Sequence, residues 1–349
     1  MRPTFADRLV ACWYSPRLTL LSALLLPLSA VFGAAIVLRR ALYRVGLLPS
    51  ITVSVPVVVV GNLTVGGSGK TPLVIALARA LEQRGWVPGV VSRGYGGTSR
   101  MAQSVAADSD PAIAGDEPVM IARAGIRIWI GRDRAAAARA LLAQDPSCNV
   151  IIADDGLQHY ALGRAVEIVA VGNRGFGNGL LLPAGPLREP RSRVREVDAL
   201  VVSGSFRSDD ARPPVFRQTL SGDRFVRVKP AAAASGQGLD SNGSDSAGPE
   251  RFRTVTVYAI AGIAEPDRFF ERLRELGIVA ICRAFPDHHA YTPGDLDFAD
   301  ASAILMTEKD AVKCLAFADD RCWMLPVRAV IDPHLVTLVE EKLRGCKAS

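Results

Sequence analysis

The sequence lacks the cysteine spacing of a metal site or a disulfide framework. Its six cysteines are Cys12, Cys148, Cys282, Cys314, Cys322 and Cys346, and they include no CxxC pair. This absence excludes a zinc ribbon and predicts free thiols in a reducing cytoplasm. A basic stripe with interleaved aromatic residues is also lacking, so no nucleic-acid partner is predicted. Lys and Arg nevertheless outnumber Asp and Glu, 41 to 35, which suits an anionic partner such as phosphate or anionic lipid.

The length of 349 residues predicts about two domains, and 49% apolar residues are enough for a real core. The mean hydropathy of +0.20 is high for a chain with 22% charged residues. The apolar excess lies in residues 18–38, a run without any charged residue. As a helix, this run has about the length of a bilayer's hydrocarbon core.

Three interpretations of residues 18–38 compete. A secretory signal is disfavoured, because the run is too long and no small-residue cleavage site precedes the arginines that follow. A core helix of a soluble domain stays an alternative. We favour a membrane helix that either spans the bilayer or dips into one leaflet. The heavier arginine cluster, Arg39, Arg40 and Arg44, follows the run, so the rest of the chain is expected to be cytoplasmic.

A phosphate-binding loop is predicted after the β-branched run at 55–60. The segment 61–72 reads GNLTVGGSGKTP and precedes a helix pattern that stops at Gly85. The residues expected to cradle phosphates with their backbone are Gly66, Gly67, Ser68 and Gly69. Lys70 would reach the β- and γ-phosphates, and Thr71 would offer a hydroxyl to Mg²⁺. The standard loop begins with Gly where this chain has Thr64, and a structural Gly-rich turn is the alternative.

A second part of the nucleotide site is predicted at 150–155, where the apolar run VIIA leads into Asp154 and Asp155. Adjacent carboxylates at the end of a strand point to opposite faces, so one of them can face Mg²⁺. The alternative is a solvated turn, which is common for Asp-Asp-Gly. Further strands are predicted at 87–91 and 126–130.

The alternation of strands and helices predicts a P-loop NTPase-like, doubly wound parallel sheet, with helices at 116–124 and 132–143. A smaller second α/β domain is expected to follow. The predicted domain limits are 1–48 for the N-terminal membrane helix, 49–175 for the nucleotide-binding domain and 176–349 for the smaller domain. Within the smaller domain, the low-complexity stretch 230–250 is expected to be a disordered insertion. Strands are predicted at 254–260 and 303–306, and an amphipathic helix at 266–277.

The chain closely resembles the tetraacyldisaccharide 4′-kinases, the lipid A 4′-kinases of Gram-negative envelopes. The matching stretches, in the order of that family, are GNLTVGGSGKTP, SRGYGG (92–97), GDEP (115–118), DDGLQH (154–159), LLPAGPLREP (181–190), FPDHHAYT (285–292) and TEKDAVK (307–313). Thr64 in the first stretch is shared with the family and no longer counts against nucleotide binding. The resemblance implies ATP-dependent phosphorylation of the 4′-hydroxyl of an acylated glucosamine disaccharide 1-phosphate lipid, giving lipid IVA. The reaction would take place at the cytoplasmic leaflet of the inner membrane.

The resemblance also implies roles for individual residues. Asp116 and His288 would act as a dyad that activates the hydroxyl, a poor nucleophile that needs a carboxylate to accept its proton. Because the two residues lie in different predicted regions, we expect domain closure to assemble them. Arg188 would contact the transferring phosphate, with Arg134 a weaker candidate. For Mg²⁺ the expected ligands are Thr71 and Asp155, supported by Asp154 and Glu189, and His159 would organise the nucleotide site.

Two other classes of protein compete with this interpretation. A membrane-tethered nucleotide switch or partitioning-type ATPase would use a similar loop, but that group has Lys where this chain has Val65. A GTPase would need an NKxD motif, to which TEKD at 307–310 is similar only in its last two letters. The sequence leaves open the oligomeric state, the acyl-chain preference and the identity of the metal-binding carboxylates.

Overall fold

The computed structural model describes residues 5–67, 69–204, 212–228 and 245–346. The chain divides into two compact units that alternate along the sequence. The first unit comprises Met1–Val91, Arg134–Thr219 and Val330–Ser349, and the second comprises Ser92–Asp133 and Leu220–Ala329. The domain limits predicted from the sequence are consecutive, and they stay a prediction.

Helices and strands are numbered separately in chain order. The α-helices are α1 (Phe5–Trp13), α2 (Leu20–Arg44), α3 (Lys70–Gln83), α4 (Pro111–Ala114), α5 (Asp116–Arg123), α6 (Arg134–Gln144), α7 (Pro266–Glu275), α8 (Glu308–Cys314) and α9 (Pro333–Cys346). The strands are β1 (Val57–Gly61), β2 (Pro88–Ser92), β3 (Gln103–Val105), β4 (Ile128–Ile130), β5 (Val150–Asp154), β6 (Val166–Val171), β7 (Ala199–Ser203), β8 (Val215–Ser221), β9 (Phe225–Arg227), β10 (Ser246–Ala247), β11 (Val257–Ala261), β12 (Ile281–Ala284), β13 (Ala303–Thr307), β14 (Cys322–Leu325) and β15 (Arg328–Ile331).

Helix α2 contains the long apolar run of the sequence. Thr19 caps it by accepting a hydrogen bond from the Ser22 amide, and Pro27 lies inside it. It has 25 residues, and an 18-residue window within it has a mean hydropathy of 2.3, so by length and composition it is long and apolar enough to cross a membrane. Its buried residues are Ser22, Ser29 and Gly33, which lie on one face, whereas much of the remaining surface is exposed.

The first unit is built on a parallel sheet with the strand order β8-β7-β6-β1-β5-β2. All residues of β1 and β5 are buried, as expected of β-branched strands covered on both faces. Val60 of β1 lies opposite Asp154 of β5, so the loops that follow the two strands leave the sheet at the same edge. In open parallel sheets this edge is where ligands bind. The predicted fold class is confirmed.

The second unit has its own sheet, in the order β10-β9-β14-β13-β11-β12. The last four strands are parallel, and β9 and β10 add antiparallel pairs at one edge. Its core includes Phe225, Phe252 and Trp323, whose rings pack edge to face with centroids 4.8 and 5.5 Å apart. An antiparallel pair of β3 and β4 also belongs to this unit.

The predicted disordered insertion at 230–250 is wrong at its C-terminal end. Ser246 and Ala247 form β10 and pair with β9, and Pro249–Phe252 is a 3₁₀-helix. The physical reason is burial, because Ala247 and Phe252 belong to the core of the second unit. Residues 230–244 lie outside the described residues.

We expect Leu305→Ala to destabilise the second unit by about 2–5 kcal/mol, the usual cost of a cavity in a packed core. Leu305 is fully buried at the centre of β13. The measurement is urea-induced unfolding of the full chain, followed by tryptophan fluorescence. Val279→Ala is the matched control, since Val279 is 86% exposed and its truncation should change the free energy of unfolding by less than about 0.5 kcal/mol. Equal effects of the two substitutions would contradict this core assignment.

Candidate functional site

One group of candidate residues lies in the first unit, in the loop between β1 and α3 that is predicted to bind phosphate. Gly69 adopts φ +73° and precedes the first residue of α3, Lys70. A second segment holds the start of this loop: the Val65 amide donates to the Pro186 carbonyl at 2.9 Å, and the Arg188 amide donates to the Leu63 carbonyl at 2.6 Å. This pairing explains how the segment 181–190 brings the side chain of Arg188 to the loop.

Lys70, Asp155 and Arg188 form one charged cluster in the first unit. The Lys70 ammonium lies 3.0 Å from the Asp155 carboxylate. The Arg188 guanidinium donates to both oxygens of Asp155, at 2.9 and 3.0 Å. The side-chain oxygen of Asn62 accepts from Lys70 at 3.0 Å and from Arg188. Three predicted site residues are thus brought together, with Asn62 in their midst.

The electrostatics of this cluster favour an ionised Asp155. Burial alone would raise the pKa of the Asp155 carboxyl, but the charges of Lys70 and Arg188 outweigh burial and hold the pKa far below its ordinary value. Asp155 also has a positive φ of 47°, which is uncommon outside glycine. Its carbonyl accepts from Arg134 at 2.7 Å, so this residue is held at both backbone and side chain.

The other predicted nucleotide and metal residues have these positions. Gly66 and Gly67 lie in the loop, and Ser68 lies outside the described residues. Thr71 is buried in the first turn of α3, and Asp154 is buried at the end of β5. His159 follows in the next loop, where its amide donates to the Gly156 carbonyl at 2.9 Å.

Oxygen donors from Thr71, Asp154 and Asp155 suit Mg²⁺, which usually takes one or two protein ligands and completes its shell with phosphate oxygens and water. The Asp155 carboxylate reaches Lys70, so it lies at the phosphate-binding loop. In the part of the chain that the structure describes, no three His, Cys, Asp or Glu residues are grouped as an all-protein metal site. The residues present therefore fit a metal that is shared with a phosphate ligand.

Glu189, which was expected to support the metal, has protein partners in this structure. It is fully buried and accepts hydrogen bonds from Gln158 at 2.9 Å and from Tyr160. Arg193 lies 3.5 Å from the same carboxylate, and Arg40 of α2 lies 4.0 Å from it. Glu189 thereby links α2 to the segment that carries Arg188.

A separate group of candidate residues lies in the second unit and begins with Asp116. Asp116 is the first residue of α5, and its Oδ1 accepts from the Glu117 amide at 2.9 Å. Gly115 precedes it with φ +93°, and a Cβ there would lie only 2.6 Å from the Tyr95 carbonyl oxygen. A side chain at position 115 would thus push the start of α5 away from the SRGYGG loop.

Asp116 and His288 are in direct contact. His288 Nδ1 lies 3.0 Å from Asp116 Oδ2, and the Asp116 side chain is only 4% exposed. His288 has φ +60°, and its amide donates to Asp287 Oδ1 at 3.0 Å. Its ring also meets the Tyr95 ring edge-on, with centroids 5.1 Å apart. Asp155 and His288 are the two non-glycine residues with positive φ among the described residues, and backbone strain of this kind clusters at functional sites.

The contact shifts both pKa values. Burial acts to raise the pKa of Asp116, but the hydrogen bond with His288 and the charge of Lys309 together lower it below its ordinary 3.8. The hydrogen bond with Asp116 raises the pKa of His288 above its ordinary 6.5, against burial and the charge of Lys309. Asp116 is therefore a carboxylate at neutral pH and is able to accept a proton.

The expectation that domain closure assembles Asp116 and His288 is wrong, because both residues lie in the second unit. The physical reason is that α5, which carries Asp116, packs against α8 of the same unit. The loop with His288 follows β12 and starts from a hydrogen bond between the Phe285 amide and the Ala261 carbonyl, 2.8 Å long. The neighbouring His289 has a different position: it stacks on Phe285 and contacts Asp295 at 3.2 Å.

Sequence reasoning missed three polar residues at these sites. Asn62 directly follows β1, and this position at the edge of the sheet was a usable signal. Lys309 lies in the TEKDAVK stretch and contacts His288 and Asp287. Gln218 of β8 donates to Ser203 at 2.7 Å and to the Gly69 carbonyl at 3.4 Å. No local pattern links Gln218 to the loop, because only the strand order brings the two together.

Comparison with known proteins gives a consistent result. The family model described as tetraacyldisaccharide-1-P 4′-kinase matches residues 21–344. A tetraacyldisaccharide 4′-kinase of Methylobacillus flagellatus is 46% identical, with 98% of each chain covered. One from Dechloromonas aromatica is 47% identical, with 92% of each chain covered. Among solved structures, LpxK from Aquifex aeolicus, described as an "apo" form in complex with ATP, superposes with a TM-score of 0.75 at 28% identity, covering 93% of this chain and 100% of that one.

We expect the His288 ring to titrate above pH 6.5 in an NMR titration of the full chain, and Asp116→Asn to lower that midpoint. Because the folded pKa is raised, the stabilisation from this contact is complete below 6.5 and is lost as the pH rises through the folded value. The lowered pKa of Asp116 acts in the other direction. The stabilisation that Asp116 contributes is present above pH 3.8 and is lost as the pH falls through the pKa of Asp116 in the folded protein. Asp319→Asn serves as the control and should leave the His288 midpoint in place, since Asp319 is 48% exposed and pairs with Arg321. A midpoint that does not respond to Asp116→Asn would rule out the contact in solution.

Proposed function

This chain belongs to the tetraacyldisaccharide-1-P 4′-kinase family, and from that premise we propose that it transfers the γ-phosphate of ATP to the 4′-hydroxyl of an acylated glucosamine disaccharide 1-phosphate. The product would be lipid IVA. The observation that carries the proposal is the contact between Asp116 Oδ2 and His288 Nδ1 at 3.0 Å. A buried, ionised carboxylate with a histidine against it suits the activation of a hydroxyl, and it distinguishes a phosphotransferase from a nucleotide switch.

ATP is assigned to the loop between β1 and α3. The backbone from Gly66 to Gly69 would surround phosphate oxygens at the start of α3. Lys70 and Arg188, which pair with Asp155 in this structure, carry the positive charge that the phosphates of ATP require. Arg188 is the residue we assign to the transferring phosphate, because two parallel N–H donors match phosphate oxygens.

Mg²⁺ is assigned to Thr71 and Asp155, with Asp154 in support. When bound, the ion would neutralise charge on the phosphates of the nucleotide. The assignment is supported by oxygen donors at the sheet edge where β1 and β5 end. His159 is assigned an organising role in the loop after β5.

Asp116 is assigned as the group that accepts the proton of the 4′-hydroxyl. Its carboxylate would accept the proton as the oxygen attacks phosphorus, and His288 would orient the carboxylate and tune its pKa. The starting position of Asp116 in α5 adds a favourable helix-dipole contribution to its ionised form.

We expect purified full-length protein with ATP, Mg²⁺ and the acylated disaccharide 1-phosphate to form a bisphosphorylated lipid, and Asp116→Asn to lower kcat by at least about 10²-fold. The measurement is lipid product by mass spectrometry alongside ADP release. Asp319→Asn is the matched control and should retain the wild-type kcat, since Asp319 pairs with Arg321 at the surface. ADP release without lipid product would instead favour the switch or partitioning-type ATPase, and an unchanged kcat in Asp116→Asn would remove Asp116 from the mechanism.

The cytoplasmic leaflet of the inner membrane is proposed as the place of action, with α2 as the anchor. The outward residues of α2 include Leu20, Leu24 and Val31, which are 79%, 70% and 66% exposed. On the opposite face, Ser29 Oγ donates to the Leu181 carbonyl and accepts from the Ala184 amide, both at 3.0 Å. A helix with one face held by its own unit and the other face apolar suits insertion into a single leaflet better than a complete crossing.

Leu24→Glu/Val31→Glu should lower partitioning onto vesicles of phosphatidylethanolamine and phosphatidylglycerol by about tenfold or more, because each buried leucine or valine contributes roughly 1.5–3 kcal/mol and the new charges add a cost. The measurement is vesicle co-sedimentation of the full chain. Val279→Glu places a charge on an apolar residue of the second unit that is 86% exposed, and it should leave partitioning unchanged. Undiminished partitioning of the double variant would mean that another surface anchors the protein.

A further inference from the structure

A lysine that the mechanism above does not use lies beside the dyad. Lys309 is the second residue of α8, and its side chain is only 15% exposed. Its ammonium is 3.0 Å from Asp287 Oδ1 and 3.5 Å from Glu117 Oε1. The same nitrogen lies 3.9 Å from Asp116 Oδ2 and 3.4 Å from His288 Nε2. One ammonium group therefore faces three carboxylates and the outer nitrogen of the histidine.

We propose that Lys309 is a positioning residue for the Asp116–His288 pair: its ammonium fixes the tautomer of neutral His288 and stabilises the carboxylate of Asp116. The proposal rests on the proposed function, in which Asp116 accepts the proton of the hydroxyl. It adds to that function a third residue, which acts through the other two and does not need to touch the substrate.

The tautomer follows from the donors and acceptors around the His288 ring. An ammonium group has three donors and no acceptor, so the nitrogen facing Lys309, Nε2, must present its lone pair. The hydrogen of neutral His288 is then on Nδ1, where it is donated to Asp116 Oδ2. The other tautomer would set two donors against each other at Nε2 and two acceptors against each other at Nδ1.

The charge balance also depends on Lys309. The ionisable groups around the dyad are Asp116 and Glu117 from α5, Tyr95 from the SRGYGG loop, Asp287 from the His288 loop, and Lys309 and Lys313 from α8. Removing Lys309 leaves three carboxylates near one another, which favours protonation of Asp116. It also removes a positive charge that opposes protonation of His288. Both changes favour the uptake of a proton by the Asp116–His288 pair, so the proton-free pair would be lost at a higher pH.

The fold holds Lys309 in place through a buried neighbour. Asp310 is fully buried, and its Oδ2 accepts from the Gly262 amide at 3.1 Å and from Thr307 Oγ1 at 2.6 Å. Thr307 Oγ1 in turn accepts from the Asp310 amide at 3.2 Å and caps α8. The first turn of α8, which includes Lys309, is therefore fixed to the ends of β11 and β13.

We expect Lys309→Met to move the acid limb of the kcat/KM profile to higher pH and to lower kcat/KM by about tenfold or more on that side, a loss typical of removing a residue that supports a reacting group. Lys309→Arg keeps the charge and should keep the acid limb near its wild-type position. Lys342→Met is the control, since Lys342 lies in the first unit and pairs there with Asp198. A loss of activity with an unmoved acid limb, or no loss, would overturn the proposal.

The second measurement needs no variant and covers the case in which Lys309→Met fails to fold. In full-length protein with ¹⁵N-labelled histidine, long-range ¹H–¹⁵N spectra above the His288 transition should show the hydrogen on Nδ1. A hydrogen on Nε2 would overturn the proposal.

Asp116→Asn, assayed in parallel, separates the two hypotheses. If it retains the wild-type kcat, the proposed role of Asp116 fails, and the role of Lys309 fails with it. If it loses activity while the acid limb of Lys309→Met stays in place, the Lys309 proposal alone fails.

Discussion

The ionised carboxylate of Asp116, buried in the second unit, is the feature on which the proposed chemistry depends. A carboxylate taken out of water is costly unless donors and positive charge surround it, and unsupported it would take up a proton and cease to be a base. In this unit His288 lies 3.0 Å away, Lys309 lies 3.9 Å away, and the Glu117 amide donates to the second oxygen. The positive φ of His288 and the glycine before Asp116 are the backbone conditions for this arrangement.

The first unit also contains a carboxylate that needs neighbouring positive charge to stay ionised, that of Asp155. Asp155 is ionised because Lys70 and Arg188 pair with it, and the positive charges needed for a polyphosphate are thereby kept close to the loop. Asn62 contacts both cations, so the position of each is set by a buried neutral group as well as by a charge. Glu189 extends this network away from the loop, through Arg193 and towards Arg40 of α2. Helix α2, the proposed anchor, and the proposed nucleotide site are thus parts of one packed unit.

The parallel sheet and the glycine-rich loop between β1 and α3 could be predicted because their signals are local. Residues 57–60 form a β-branched run, and the glycine-rich loop that follows ends at Gly69, directly before a helix pattern. The division of the chain into two units was harder to predict, since Ser92–Asp133 and Leu220–Ala329 form one unit through contacts between residues far apart in the sequence. For this reason the sequence predicted that domain closure brings Asp116 and His288 together. The packing of α5 on α8 shows instead that both belong to the second unit. Lys309 and Gln218 were not predicted for the same reason. Their contacts join segments that are far apart in the sequence, and the local spacing of residues does not indicate such contacts.

In the proposed mechanism Asp116 and His288 act as one unit in catalysis, and a double-mutant cycle on kcat tests this coupling most directly. The four proteins are the wild type, Asp116→Asn, His288→Gln and the double variant, assayed for lipid product with saturating ATP and Mg²⁺. If the histidine acts through the carboxylate, the double variant should be no slower than Asp116→Asn alone. Losses that multiply, so that the double variant is slower by the product of the two single effects, would contradict the coupling and mean that the residues act independently.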